Sequence, residues 1–560
     1  MINTNYYLEK ILDEKFSKMY DDELGLFGVE VDNRKSGYHT KAVGFRHIMR
    51  ESAIYASAAL ICDIKKYEAQ AIKMLGRICE SQDTDPQSPT CGLWGYYYEE
   101  PPCDMYNPDY NWADFIGKWL VCVLKKCPDK LGTDLCEKLR EAVRLAAYCS
   151  VKRNVRVDYT NIRIMSPFLQ IAAGELSGDK VVFDHGKNAL TEFLEYTEKN
   201  TAFTEYNSST YTIVALDELA KMIELFEDKE CVEIAKKLNI YAWKQFTIHY
   251  NDKIKQLAPP QSRAYKNIDN GQLGEVIYLG TDGKYGTPLD GHSGVDTLVF
   301  TPKCPDELLC DFEFGIERFD VHNFFKALPG YDYQGDMGKA SVTSYTYMTD
   351  TYSVGCFSCA DFWVQKRPLM AIWGGDKPTF MRLRAFHNDY DFCSGLVRAS
   401  QSKNTIVAAM GFCTDRGSFH FSLDKNKTGI FNFEKLFFRL ETGGYTDELT
   451  IEQKGNIITV CDRGISININ ISCFIFDGKD AKIVVDNQNK CIDFICYDGE
   501  DKVIDINTLC DTYGIFTLTV NGDAPDAMVC DMGDNVCASC DGATITFPKR
   551  PKTLVDSIER

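Results

Sequence analysis

The spacing of apolar residues changes once along this chain, between about residues 250 and 300, from the period of a helix to the period of a strand. That change constrains the fold more than any single motif, because one period buries a stripe and the other buries alternate residues. In 228–246, Cys231, Ile234, Ala235, Leu238, Tyr241 and Ala242 fall at i, i+3, i+4, i+7, i+10 and i+11 and so share one helical face. Leu135, Leu139, Ala142, Val143 and Ala146 do the same. A succession of such segments runs from residue 38 to about 250, which predicts helical hairpins arranged as an α/α toroid, complete or incomplete. No repeated motif accompanies the repeated pattern, which argues against a regular solenoid.

The stretch 251–296 holds Pro259, Pro260 and glycines at 271, 274, 280, 283, 286, 291 and 294, the chemistry of loops and short strands. Beyond residue 340 the period is two: Ile465, Ile467, Ile469 and Ile471 alternate with Ser466, Asn468, Asn470 and Ser472. Similar runs at 405–410, 457–460, 515–520 and 544–547 are separated by Gly, Asp and Asn turns, which predicts an antiparallel β-sandwich. At 560 residues the chain exceeds what one core supports. The expected organisation is therefore a toroid over 1–255 carrying the catalytic residues, a loop-rich connection over 256–300 contributing to the site, and a sandwich over 301–560.

Apolar residues make up 44% and charged residues 26%, as in an ordinary globular protein. With 62 basic and 81 acidic side chains the formal charge is -19, which disfavours nucleic acid and anionic membrane as partners and requires a local basic pocket for any anionic ligand. The N-terminal MINTNYYLEKILDEKF lacks the basic and apolar segments of a signal peptide, and no apolar run is long enough to span a bilayer. The 23 cysteines are scattered through apolar segments, so reduced thiols and a cytoplasmic location are expected. The C-x-x-C pairs Cys356/Cys359 and Cys537/Cys540 lack nearby histidines, and His387 and His420 are isolated, so neither a metal nor a cofactor is expected. No phosphate-binding glycine motif, G-x-S-x-G elbow or H-E-x-x-H motif is present.

Three patches combine polarity with apolar surroundings: DYTNIRIMSP (158–167), EYNSSTYTIVALDEL (205–219) and APPQSRAY (258–265). In the second, Ser208 or Ser209 can cap the helix bearing Ile213, Leu216, Ala220 and Ile223, which sets Tyr211 in its first turn. Taken singly, Tyr206, Asn207 and Tyr211 also fit a plain helix cap and core edge. Lys152, Arg153, Arg156 and Arg163 form a basic cluster beside Asn161, suited to an anionic sugar or to a solvated helix face. The segment 92–115 concentrates aromatics, so Trp94, Tyr97 and Trp112, with Tyr110 and Asn111, are candidate sugar-stacking and binding residues; a buried aromatic plug between helices is the alternative.

The pattern Tyr-x-x-x-x-Tyr at 206–211, followed by Val214, Leu216, Asp217 and Leu219, resembles the catalytic tyrosine helix of polysaccharide lyases of the hyaluronate, chondroitin and xanthan type. Asn161 before it and Ser262-Arg263 after it match the order of that group's asparagine and Ser-Arg pair. The group, like the heparinase II/III-like lyases, places an α/α toroid before antiparallel β-sandwich domains. The resemblance implies β-elimination beside a uronic acid in an anionic oligosaccharide. An amide donor, Asn161 aided by Asn207, would offset the substrate carboxylate. Tyr211 would take the α-proton and return one to the leaving oxygen, with Arg263 lowering a phenol pKa of about 10. Tyr206, Glu205 and Tyr265 are further catalytic candidates, and Arg156 a further binding one. Hyaluronate-type lyases carry a histidine nine positions before the tyrosine, where this chain has Ala202; His39, His47, His249 and His292 are the candidates to replace it.

Other readings remain at this point. A uronate epimerase shares the proton abstraction. A glycoside hydrolase would use paired carboxylates, for which Glu205, Asp114 and Asp158 are available. A non-catalytic carbohydrate-binding relative would keep the fold without the chemistry.

Overall fold

Where a helix is surrounded by other helices it must be apolar all round, and where it faces solvent on one side it must be amphipathic. Both kinds alternate here. The computed structural model describes residues 2–34, 39–324, 342–418 and 426–557. Among them, α1 (Thr4–Met19) is followed by α2 (Met49–Ile61), α3 (Glu68–Glu80), α4 (Asn111–Lys126), α5 (Gly132–Arg153), α6 (Thr160–Ser177), α7 (Lys180–Asn200), α8 (Tyr211–Leu225) and α9 (Lys229–His249), then α10 (Gln272–Gly280) and α11 (Val295–Val299). Helices α2, α4, α6 and α8 are buried over most of their circumference, α6 without interruption from Thr160 to Gly174. Helices α3, α5 and α9 bury one face only, and in α5 and α9 it is the face formed by the residues singled out above. Helix α2 packs on α4 and α4 on α6, while α11 returns to pack on both α1 and α2. This is an α/α toroid, with one set of helices lining the inside and the other wrapped around it.

The inner helices carry charge into this core. Lys118 of α4 and Lys221 of α8 both bond Glu218, and Lys221 bonds Asp296 of α11 at 2.6 Å. Lys221 and Glu218 are fully buried. Asp217, bonded by the Thr297 hydroxyl at 2.8 Å, is pushed up to about 8 by burial and by the neighbouring Asp296. Lys221 is held well above its ordinary value because the carboxylates of Asp296 and Glu218 outweigh its burial. The network spans three helices far apart in sequence and fixes their mutual rotation.

Two expectations are corrected in this part of the chain. The stretch from residue 38 is expected to be helical, but near its start Val43–Ile48 is a strand, paired with Leu26–Asp32, which pairs in turn with Tyr20–Asp21 in a small antiparallel sheet. The 256–300 connection was read as loops and short strands, but it contains α10 and α11. Its glycines serve close packing: a Cβ on Gly280 would lie 2.2 Å from Trp243, and one on Gly274 2.3 Å from the Thr287 hydroxyl. The compact units divide the chain as 1–198, 213–243 and 271–306 for the helical unit and 199–212, 244–270 and 307–560 for the other.

The second unit is built of antiparallel strands. Among the described residues nine strands form one sheet, its main path running 482–486, 491–505, 430–444, 379–387, 369–373, 352–357, 342–349 and 317–324. Eight form another, running 450–454, 457–462, 465–476, 513–520, 405–412, 395–402 and 359–361. Val354, Leu383 and Leu436 from the first share one core with Ile406, Ile467 and Phe516 from the second, which makes the pair a sandwich. Ile465, Ile467, Ile469 and Ile471 are buried as the alternation requires. A three-stranded sheet over 528–548 packs on the second sheet. None of the 23 cysteines forms a disulfide, and no described helix is long and apolar enough to cross a membrane.

Removing one partner from the buried helical network leaves uncompensated charge. Lys221→Met is expected to lower stability by about 3–5 kcal/mol, read as a fall in the urea midpoint; a change under about 1 kcal/mol would show that the network does not hold the helices.

Candidate active site

The 199–212 segment between α7 and α8 and the loop 258–265 both belong to the second unit. Their joining is a matter of backbone groups that would otherwise be buried unpaired. Asn207 adopts φ +50°, tolerated by asparagine better than by most residues, and its amide donates to the carbonyls of Ala258 and Pro260, both at 2.7 Å. Ser262 donates through both its N–H and its hydroxyl to the Tyr206 carbonyl, at 3.1 and 2.9 Å. The Ser208 hydroxyl accepts the Tyr211 N–H at 2.9 Å, capping α8 as expected, and donates to the Arg263 carbonyl at 2.5 Å.

These ties bring Arg263 to Tyr211. The guanidinium lies over the Tyr211 ring, 4.2 Å from its centroid, and pairs with Glu205 at 2.5 Å. The Tyr211 and Tyr265 hydroxyls are 2.7 Å apart. Tyr211 is half-buried, whereas Tyr265 is 58% exposed. Burial pushes the Tyr211 phenol far above its ordinary value; the Arg263 charge opposes this, and Glu205 and Tyr265 add to it. At neutral pH Tyr211 is therefore a phenol, linked by one hydrogen bond to an exposed phenol.

A second cluster lies in the same unit. Tyr206, 2% exposed, places its hydroxyl 3.2 Å from Nε2 of His249, and the same nitrogen lies 3.4 Å from Asp320. His322 stacks on the Tyr206 ring with centroids 5.4 Å apart, and burial lowers its pKa to about 4. Burial raises the Tyr206 phenol well above its ordinary value. Of the four histidines that could stand in for the one missing at Ala202, His249 is in this unit; His39, His47 and His292 belong to the helical unit, where His47 bonds Glu99 and Asp21 and His39 lies 3.5 Å from Asp109. Ala202 and Tyr206 are part of the sandwich core.

Several sequence candidates have other roles. Trp94 is fully buried and its indole N–H donates to the Ile78 carbonyl at 2.8 Å, so its ring is not available to a sugar. Tyr97 is 8% exposed and accepts from Asn33. Trp112 is sandwiched between Tyr96, stacked at 4.0 Å, and Arg50, which favours the aromatic plug. Asn111 accepts from Arg153. Asn207 spends its amide donors on backbone carbonyls, which makes it a positioning residue for the 258–265 loop rather than a donor to substrate. Asn161 lies buried in the first turn of α6, and Arg163 nearby is also buried, bonded to the Val155 carbonyl and to Glu192. Arg156 keeps a half-exposed side chain but is held bidentate by Asp158.

Sequence reasoning missed Gln365 and Trp363, which contact Arg263, and Asp320 and His322. Gln365 lies in a turn with no local motif, and only the approach of residue 263 gives it a role. Among the described residues no group of three or more His, Cys, Asp or Glu is arranged to hold a metal. His387 contacts the Asn432 carbonyl, and His420 lies outside the described residues.

Residues 18–276 match a sequence family described as a domain of unknown function (DUF8769). No curated protein matches the chain. In structure the chain is similar to heparinase III, with 11% identity, 92% of this chain and 83% of that chain covered and a TM-score of 0.43. It is similar to a Streptomyces coelicolor A3 chondroitin AC lyase in complex with chondroitin sulphate, at 9% identity, 98% and 84% coverage and a TM-score of 0.43. A chondroitinase AC lyase follows at 9% identity, 97% and 89% coverage and a TM-score of 0.41.

Asn207→Ala removes donors from two buried carbonyls. The expected loss is at least about 2 kcal/mol, measured by thermal or urea unfolding; an unchanged midpoint would mean the 258–265 loop is held by other contacts.

Proposed function

We propose that the protein is a lyase that cleaves a glycosidic bond beside a uronic acid in an anionic oligosaccharide, in the cytoplasm, by β-elimination. The observation that carries this reading is the hydroxyl pair of Tyr211 and Tyr265 at 2.7 Å with the Arg263 guanidinium on the Tyr211 ring. In the reaction the α-carbon of the uronate gives its proton to the Tyr211 oxygen. The electron pair left behind forms the double bond to the β-carbon as the carbon–oxygen bond breaks, and Tyr211 returns a proton to the leaving oxygen. Before the first step Tyr211 must lose its own proton, and the exposed Tyr265 hydroxyl is the route to solvent. Arg263 favours the phenolate; Glu205 moderates that effect.

The hydrolase reading draws less support. Asp114, pushed up to about 6 by burial, is fully enclosed and accepts from the Ser150 and Ser166 hydroxyls. Asp158 is committed to Arg156 and Glu205 to Arg263.

Incubation with a panel of uronate oligosaccharides, following the ultraviolet absorbance of the conjugated double bond, tests the proposal. Tyr211→Phe should lose activity by about 10³-fold or more; product without the chromophore, or an active Tyr211→Phe variant, would sink the lyase reading. The rate should rise with pH on the alkaline side, because burial keeps Tyr211 protonated at neutral pH. Glu205→Gln removes an influence that raises the phenol, so the rising limb should move to lower pH, while Arg263→Gln should move it higher. Identical limbs in all three proteins would mean that Tyr211 ionisation does not govern the rate.

A further inference from the structure

Arg263 is gripped from a third side. Its Nε–H donates to the side-chain oxygen of Gln365 at 2.9 Å, and the Trp363 ring centroid lies 5.6 Å from the guanidinium. The backbone is paired over the same stretch. Ala264 N–H donates to the Gln365 carbonyl at 2.7 Å, and Gln261 and Arg367 exchange N–H to carbonyl bonds at 3.1 and 2.9 Å. The turn itself is anchored inside the sandwich: Lys366 Nζ bonds Asp361 at 2.6 Å, and Arg416 approaches the other Asp361 oxygen at 3.3 Å. Asp361, Lys366 and Arg416 are all buried, so side chains of the 361–367 turn are presented from a fixed base.

We infer that Gln365 is the positioning residue that holds the Arg263 guanidinium against the face of Tyr211, and that its uncharged amide is required. This rests on the β-elimination reading for its kinetic consequences. Glu205 already provides one anion for Arg263. A carboxylate at 365 would supply a second and cancel the charge that favours the Tyr211 phenolate, whereas an amide oxygen fixes the same N–H without doing so. An apolar residue would release the Nε–H and let the planar fork rotate off the ring.

The pair Gln365→Met and Gln365→Glu tests this in the full-length protein. Gln365→Met should lower kcat about tenfold to a hundredfold with KM changed less than about twofold. Gln365→Glu should move the alkaline limb of the rate profile to higher pH. In an Arg263→Ala background neither substitution should change the residual rate or the profile further. Equal losses in both backgrounds, or a loss confined to KM, would overturn the inference. A crystal structure of Gln365→Met gives a readout independent of activity: the guanidinium should have left the Tyr211 ring, and its retention at the same place would overturn positioning by Gln365 whether or not the protein is a lyase. Failure of the lyase reading itself has a different signature, namely no unsaturated product from the unsubstituted protein.

Discussion

Much of the helical unit turns on the charge buried in its interior. Lys118, Glu218, Lys221 and Asp296 come from three helices and meet where solvent cannot screen them. A buried ion network contributes little net stability compared with an apolar core of the same shape, but it is unforgiving of displacement, since any helix that slides or rotates leaves a charge unpaired. Apolar packing tolerates small shifts and this network does not. Helix α8 is therefore fixed in rotation from Ile213 onward, the part of it that belongs to this unit.

The second unit solves a similar problem with neutral groups. The segments 199–212 and 258–265 are irregular, and irregular backbone can be buried only if its carbonyls and amides find partners. Asn207, Ser208 and Ser262 provide them. The candidate site thus consists of two phenols, one exposed and one half-buried, and one cation, standing on side chains whose donors hold backbone carbonyls. That division explains why residues adjacent in sequence have opposite roles: Asn207 is structural, while Tyr211, four residues on, meets solvent.

Legibility from sequence followed the same physics. The outer helices and the strand at 465–471 could be read because each has one wet face, and the period of the apolar residues reports that face directly. The Ser208 cap was likewise accessible through local capping rules, and the grouping of Tyr211 with Arg263 through the resemblance to the lyase tyrosine helix and its Ser-Arg pair. In helix α8 only the cap and the apolar series Ile213, Leu216, Ala220 and Ile223 were legible. Its Asp217, Glu218 and Lys221 look solvent-facing until their partners, Lys118 and the 296–297 turn of α11, are known. Trp94 stayed open between two readings because an aromatic-rich segment looks alike whether it lines a cleft or fills a core. Gln365 was invisible for a related reason: its partner is 102 residues away, and a lone glutamine in a turn carries no signal.

The two compact units are interleaved, each assembled from three stretches of chain. During synthesis, residues 199–212 emerge well before the strands whose core they join, since Ala202 and Tyr206 pack with residues beyond 340. The helical half must therefore leave the ribosome with that segment unsatisfied and its apolar side chains uncovered until the C-terminal half arrives. One cut in the chain cannot separate the units intact, and a fragment ending after α9 would carry Tyr206 and Tyr211 but none of the strands that give the first its core or the loop that gives the second its cation.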